Sequence, residues 1–436
     1  MQQDDNSASH AELKARHDQV MPAWMSLLYE RPIEIVSGQG CRVTDGEGRT
    51  YLDFFAGILT NMLGYNVPEV RTAIREQIDT GVVHTSTLYL IRKQVELAEK
   101  IARLSGIDDA KVFFTGSGTE ANEAALLIAT QFRRSNQVIA LRNSYHGRTF
   151  ATTGITGNRG WSASSLSPLN VIYAQSGYRF RSSFRNLDDR DYIEACATDL
   201  RELMATATAG DVAAMIVEPI QGVGGFAVPP DGLFAAYKEI LDETGILFIS
   251  DEVQTGWGRT GEHFWGIDAH GVTPDAMTFA KGLGNGASIG GVVARGELMD
   301  CISANSISTF GGNPLSSAAA NATLDYVLDH DLQAQAASTG DLLISGLREV
   351  AAEVPAVAEV RGRGLMIGLE LVEPDGRTPA PALAAQVLEA ARERGLLIGK
   401  GGLHGNCLRL APPMTLSDAE AKEGLQILTD ALRELA

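Results

Sequence analysis

Between residues 112 and 294 the chain alternates short, β-rich apolar runs with stretches of helical spacing. Segments 112–115, 137–142, 212–217, 246–250, 276–280 and 290–294 read as strands, and 119–133 and 233–244 as helices. Strands that are apolar along most of their length have no polar face to offer water, so helices must cover both sides of the sheet they form. This order predicts an α/β fold around a parallel or mixed central sheet.

The flanks differ. Residues 1–30 form a polar arm with a short amphipathic stretch, and 33–55 turn to strand, with Asp45-Gly46-Glu47-Gly48 as a hairpin turn. Segments 70–81 and 90–104 carry helical spacing. After Pro314 come a helix to about 328 and another over 332–353. Strand-like residues at 359–371 and helices at 382–394 and 418–435 complete a smaller α+β unit. Residues 176–192, rich in Arg and Ser, read as a polar surface excursion.

Composition excludes several functions. The 436 residues carry 36 Lys and Arg against 54 Asp and Glu, a net charge of −18. That balance disfavours a partner with a phosphate backbone, which needs basic patches. No apolar run approaches the ~20 residues that span a bilayer. Residues 1–20 resemble neither a signal nor a transit peptide, so the expected location is the cytoplasm. Cys41, Cys196, Cys301 and Cys407 show no metal spacing and predict neither a metal site nor a disulfide framework.

Three places carry chemistry. Ser117, Gly118, Thr119 and Glu120 stand between a strand and a helix, a pattern equally suited to a capped helix or to an anion cradle. Asp251 closes an apolar strand, where open α/β sheets bind ligands and where an acid can also simply cap the next turn. Lys281 ends the next strand and precedes Gly282 and Gly284. It is an ordinary loop lysine or, in a dry site, a nucleophile of lowered pKa. One cofactor uses all three: pyridoxal 5′-phosphate (PLP) has a phosphate, a pyridine nitrogen that wants a carboxylate and an aldehyde that wants a lysine.

The sequence resembles the class III (omega) aminotransferases, PLP enzymes of fold type I, from about Tyr51 to Pro413. The motifs that carry the likeness are 117–122 (SGTEAN), 145–147 (YHG), 218–222 (EPIQG), 251–256 (DEVQTG), 280–282 (AKG) and 308–313 (STFGGN). Segments 84–87, 221–223 and 361–368 look closest to alanine–glyoxylate aminotransferases of the second type. The likeness implies a large PLP domain over 71–325 with a mostly parallel sheet flanked by helices. It also implies a small α+β domain over 326–436, to which the arm and hairpin of 1–70 contribute.

It further implies roles. Lys281 would bond the cofactor aldehyde and move the proton, and Asp251 would pair with the ring nitrogen. Val253 and Tyr145 would pack on the ring faces, and Gln254 would bond the ring hydroxyl. Ser117, Gly118 and Thr119 would hold the phosphate, with Thr309 reaching from a neighbouring subunit, so a homodimer or dimer of dimers with shared sites is implied. Glu218 would orient this network, or cap a strand end. Arg409 would grip the substrate carboxylate. Two departures bear on substrate: Val223 stands where members handling 4-aminobutyrate or ornithine often carry Glu, and 64–68 (GYNVP) replaces a common Gly-His-x-His-Pro. The expected activity is transfer of an amino group from an amino acid or amine to a small α-keto acid, pyruvate or glyoxylate, by a ping-pong route. The rival expectations are a dialkylglycine decarboxylase or aminomutase on the same scaffold, or a PLP-binding scaffold without catalysis. The donor is left open.

Overall fold

The computed structural model describes residues 10–435. Among the described residues, fifteen strands form three sheets. The first strands are Ile35–Gln39 (β1), Arg42–Asp45 (β2) and Thr50–Asp53 (β3). The central group is Ala110–Thr115 (β4), Gln137–Leu141 (β5), Asn170–Ala174 (β6), Ala214–Val217 (β7), Leu247–Asp251 (β8), Ala276–Phe279 (β9) and Gly290–Arg295 (β10). The last are Val357–Arg363 (β11), Met366–Leu371 (β12), Leu396–Leu397 (β13), Gly399–Gly401 (β14) and Cys407–Leu410 (β15).

The central sheet has seven strands in the order β4-β10-β9-β8-β7-β5-β6. Only β10 runs against the others, pairing antiparallel with both β4 and β9. Strands β5, β7, β8 and β9 are buried from end to end, as apolar strands covered on both faces must be. The expected α/β class is therefore observed. All six predicted central strands form, within two residues of the expected limits.

The ends of the chain meet. β13 lies parallel to β3, and the Phe54 N–H donates to Leu397 O at 2.7 Å. The antiparallel sheet β11-β12-β15-β14 is tied back by Ala411 N–H to Phe54 O at 2.7 Å. The hairpin turn forms as expected, with Asp45 Oδ1 accepting the N–H groups of Glu47 and Arg49. All four cysteines are free thiols.

Residues 176–192 differ from the expected surface excursion. Tyr178 and Tyr192 are buried, and Tyr178 O–H and Arg181 both donate to the buried Glu370 of β12. β6 and the helix Asp189–Ala207 flank this segment and were not anticipated. That helix buries only Tyr192, Cys196 and Leu200, a single stripe at i, i+4 and i+8.

Candidate active site

The parallel strands β4, β5, β7, β8 and β9 all end at one edge of the sheet, and a cavity of about 410 Å³ opens there. This is where open α/β sheets take ligands. Each strand delivers its next residues to the wall: Ser117, Gly118 and Thr119 after β4, Tyr145 after β5, Glu218 after β7, Asp251, Val253 and Gln254 at and after β8, and Lys281 after β9. The structure thus brings together nine of the eleven residues singled out in the sequence. Thr309 is exposed, and neither it nor Arg409 lines the cavity of its own chain.

Asp251 is held as an acceptor. Its Oδ2 takes hydrogen bonds from Asn122 Nδ2 at 2.8 Å and from His146 Nδ1 at 2.7 Å, and its Oδ1 accepts the Val253 N–H at 3.1 Å. Asn122 is fixed in turn by His146 O, to which it donates, and by Thr278 O–H, which it accepts. A buried carboxylate needs this kind of support. Asn122 and His146 lie inside the motifs quoted above, yet neither was given a role. The available signal was the buried acid itself, which must find donors nearby.

Lys281 sits in the left-handed region with φ +43°, a conformation that non-glycine residues adopt under local constraint. Its Nζ has no hydrogen-bond partner among the described residues, so the amine is free to react. Burial lowers its pKa, and Arg409 adds to the effect, while Asp251 and Glu218 oppose it. Glu218 bridges two backbone groups: Oε1 accepts the Tyr145 N–H at 2.8 Å and Oε2 the Gly222 N–H at 2.9 Å. Burial raises its pKa to about 7, with the Asp251 charge adding and His146 opposing.

Ser117 does cap the helix Gly118–Arg133, accepting the Glu120 N–H at 3.2 Å. The capped-helix reading therefore holds. It leaves the first N–H groups of that helix facing the cavity, the arrangement that binds anions. A Cβ on Gly118 would stand 3.0 Å from both Val253 methyls, so glycine lets the helix start pack close to Val253 without displacing it. Tyr145 is half-buried, with the edge of Trp161 packed on its ring at 5.5 Å. Gln254 Oε1 and His146 Nε2 are buried and lack any hydrogen-bond partner among the described residues.

PLP fits this donor set. The helix start suits its phosphate, Asp251 its ring nitrogen, Lys281 its aldehyde, and the orphaned Gln254 Oε1 its ring hydroxyl.

Arg409 lies on β15 at the level of Gly368 on β12. Its guanidinium stacks near Phe55 at 5.0 Å and Phe226 at 5.5 Å. It donates to Gly222 O at 3.1 Å and to Lys400 O at 2.9 and 3.2 Å. Burial lowers its pKa to about 10, which leaves it charged at neutral pH. Among the described residues it has no ion-pair partner, which is costly for a buried cation. Val223, also buried, offers it none.

The chain is similar to known proteins. The model of the class-III aminotransferase family matches residues 28–432. The alanine–glyoxylate aminotransferase 2 homolog 2 of Arabidopsis thaliana is 38% identical over 411 residues, covering 94% of this chain and 84% of the relative. A phospholyase from Arthrobacter, solved in complex with phosphoethanolamine, is 36% identical with a TM-score of 0.87, over 97% of this chain and 100% of that one. An amine transaminase from an uncultivated Pseudomonas species, solved in its PLP-bound form, is 31% identical with a TM-score of 0.86, over 93% and 95%. In sequence, in its fold type I architecture and in its lysine-and-aspartate cavity, this chain belongs to the class-III aminotransferases, enzymes that work with pyridoxal 5′-phosphate.

Proposed function

We propose that the enzyme moves an amino group from an amino acid or amine onto a small α-keto acid, pyruvate or glyoxylate, in two separate half-reactions. The observation that carries this reading is Arg409, a buried guanidinium held only by carbonyls and lacking a carboxylate. Its planar fork suits the bidentate grip of a substrate carboxylate. Val223 beside it is not an acid that could draw it aside, which favours α-carboxylates over ω-amino donors.

When bound, PLP supplies an aldehyde that condenses with amines and a ring that accepts electrons from the carbon losing its proton. Asp251 Oδ2, held by Asn122 and His146, keeps a proton at the ring nitrogen. Lys281 Nζ, with its lowered pKa, would move the proton from the donor Cα to the carbon of the cofactor's former aldehyde, and in the opposite direction on the acceptor side. Ser117, Gly118 and Thr119 bind the phosphate, and Gln254 the ring hydroxyl. Val253 and Tyr145 bound the ring faces, with Glu218 fixing the Tyr145 backbone. Thr309 serves the site of a second copy in a homodimer. The small sheets, built from both chain ends, act as the domain that presents Arg409. The cytoplasm is the proposed location.

The test is stepwise. The PLP-loaded enzyme is mixed with a panel of amines, freed of excess amine, then given pyruvate or glyoxylate. The expected result is one equivalent of alanine or glycine. Turnover of the amine beyond one equivalent per site with no keto acid present would instead mark lyase or mutase chemistry, and release of carbon dioxide would mark a decarboxylase. Arg409→Ala removes a charge-assisted grip, so KM for pyruvate is expected to rise roughly ten- to a hundredfold. An unchanged KM would place the carboxylate elsewhere.

A further inference from the structure

Arg409 is not the only arginine on its face of the sheet. The register of β11, β12 and β15 sets Arg361, Gly368 and Arg409 side by side in one row. The next row is Glu359, Glu370 and Cys407. Residues two apart on a strand share a face, so both rows point the same way.

The two arginines grip opposite ends of one turn. Arg409 donates to Gly222 O at 3.1 Å, and Arg361 donates to Gly225 O through Nε at 3.0 Å and Nη2 at 2.7 Å. The turn links them directly, because the Gly225 N–H also donates to Gly222 O at 3.2 Å. The intervening carbonyls are tied as well, Val223 O to the Gly402 N–H at 2.9 Å and Gly224 O to Asn143 Nδ2 at 3.1 Å. The turn lies tight on the sheet. A Cβ on Gly368 would stand 2.5 Å from Gly225 O.

The arginines differ in their charge partners. Arg361 forms ion pairs with Glu359 at 2.5 Å and with Glu370 at 3.1 Å, and Glu370 also takes Arg181 at 2.6 Å. Two cations and two anions therefore close on themselves around Arg361, and its fork is fully used. Arg409 has carbonyls only. Gly222 also spaces Arg409 from Glu218, binding the first through its C=O and the second through its N–H.

We propose that Arg361, anchored by Glu370, is a positioning residue: it locks the 222–225 turn and so holds the Arg409 guanidinium in the one pose that receives a substrate carboxylate. This rests on the reading of Arg409 as the carboxylate grip. A locked seat fixes the acceptor before it arrives, and a displacement of about 1 Å at such a contact is worth roughly a hundredfold.

The experiment uses PLP-loaded wild type, Arg361→Lys, Gly368→Ala and Arg409→Ala. Lysine keeps the charge beside Glu370 but cannot span Glu370 and Gly225 O with a fork. Gly368→Ala keeps Arg361 and displaces Gly225 O from the other side. In both, kcat/KM for pyruvate is expected to fall roughly ten- to a hundredfold, with kcat within about threefold of wild type. The PLP dissociation constant should not change, whereas a general loosening of the fold would move it and kcat together. If Arg361→Lys does not accumulate as folded enzyme, Gly368→Ala decides. Unchanged kcat/KM, or parallel losses in kcat and PLP binding, would overturn the positioning role. Pyruvate kinetics unaltered in Arg409→Ala would overturn the underlying grip itself, a separate and distinguishable failure.

Discussion

Glu218 should make the protein's stability depend on pH in a way one substitution can isolate. Burial holds its pKa at about 7 against an ordinary value of 4.5. The folded state therefore binds this proton more tightly than the unfolded state. Its stabilising contribution is complete below about 4.5, is lost as pH rises toward 7, and stays lost above. A shift of that size corresponds to about 3 kcal/mol, and the side chain is fully buried, so solvent does not screen it. Glu218→Gln cannot ionise. Its amide has one oxygen for two N–H donors, Tyr145 and Gly222, so one backbone donor is orphaned at a cost of about 1–3 kcal/mol. At pH 5 the variant should be less stable than wild type by that amount. By pH 8.5 wild type has lost its own contribution, and the variant should equal or exceed it. Urea unfolding of both proteins from pH 5 to 8.5 reads the difference directly. Glu252, also buried with a pKa raised to about 7, titrates in both and cancels. A difference that stays constant across this range would mean that Glu218 is ionised throughout, and the argument from burial would fail.

Two other substitutions test the cofactor side. Lys281→Ala should abolish covalent attachment of PLP, checked by borohydride reduction and peptide mass, and should lower turnover by at least about a thousandfold. Asn122→Ala strips Asp251, His146 O and Thr278 O–H of one partner each. It should destabilise the protein by about 3–5 kcal/mol in urea unfolding and weaken PLP binding, since the aspartate loses a donor that fixes it.

The sequence disclosed those parts of this site that one segment can specify. Apolar runs marked the strands because covered strands must be apolar, and the residues after them marked the cavity because strand ends are where side chains escape the core. Ser117 with Glu120 announced a helix cap, which is a contact over three residues. What could not be read involves partners far apart in the chain. Tyr178 and Arg181 read as part of a polar surface segment because Glu370, which receives them, lies 192 and 189 residues away. The helix Asp189–Ala207 went unseen because its apolar stripe is three residues wide in a charged background. Arg409 shows the distinction best. Its likeness to a family residue suggested what it binds, but its backbone seat on Gly222 spans 187 residues, and the other end of that turn is held by a second arginine 136 residues away. A residue's chemistry is thus local and legible, whereas its orientation is a property of the packed sheet. If Arg409 is the carboxylate grip proposed above, substrate preference follows from the latter, since a planar fork pairs with a carboxylate only along the direction in which it is held.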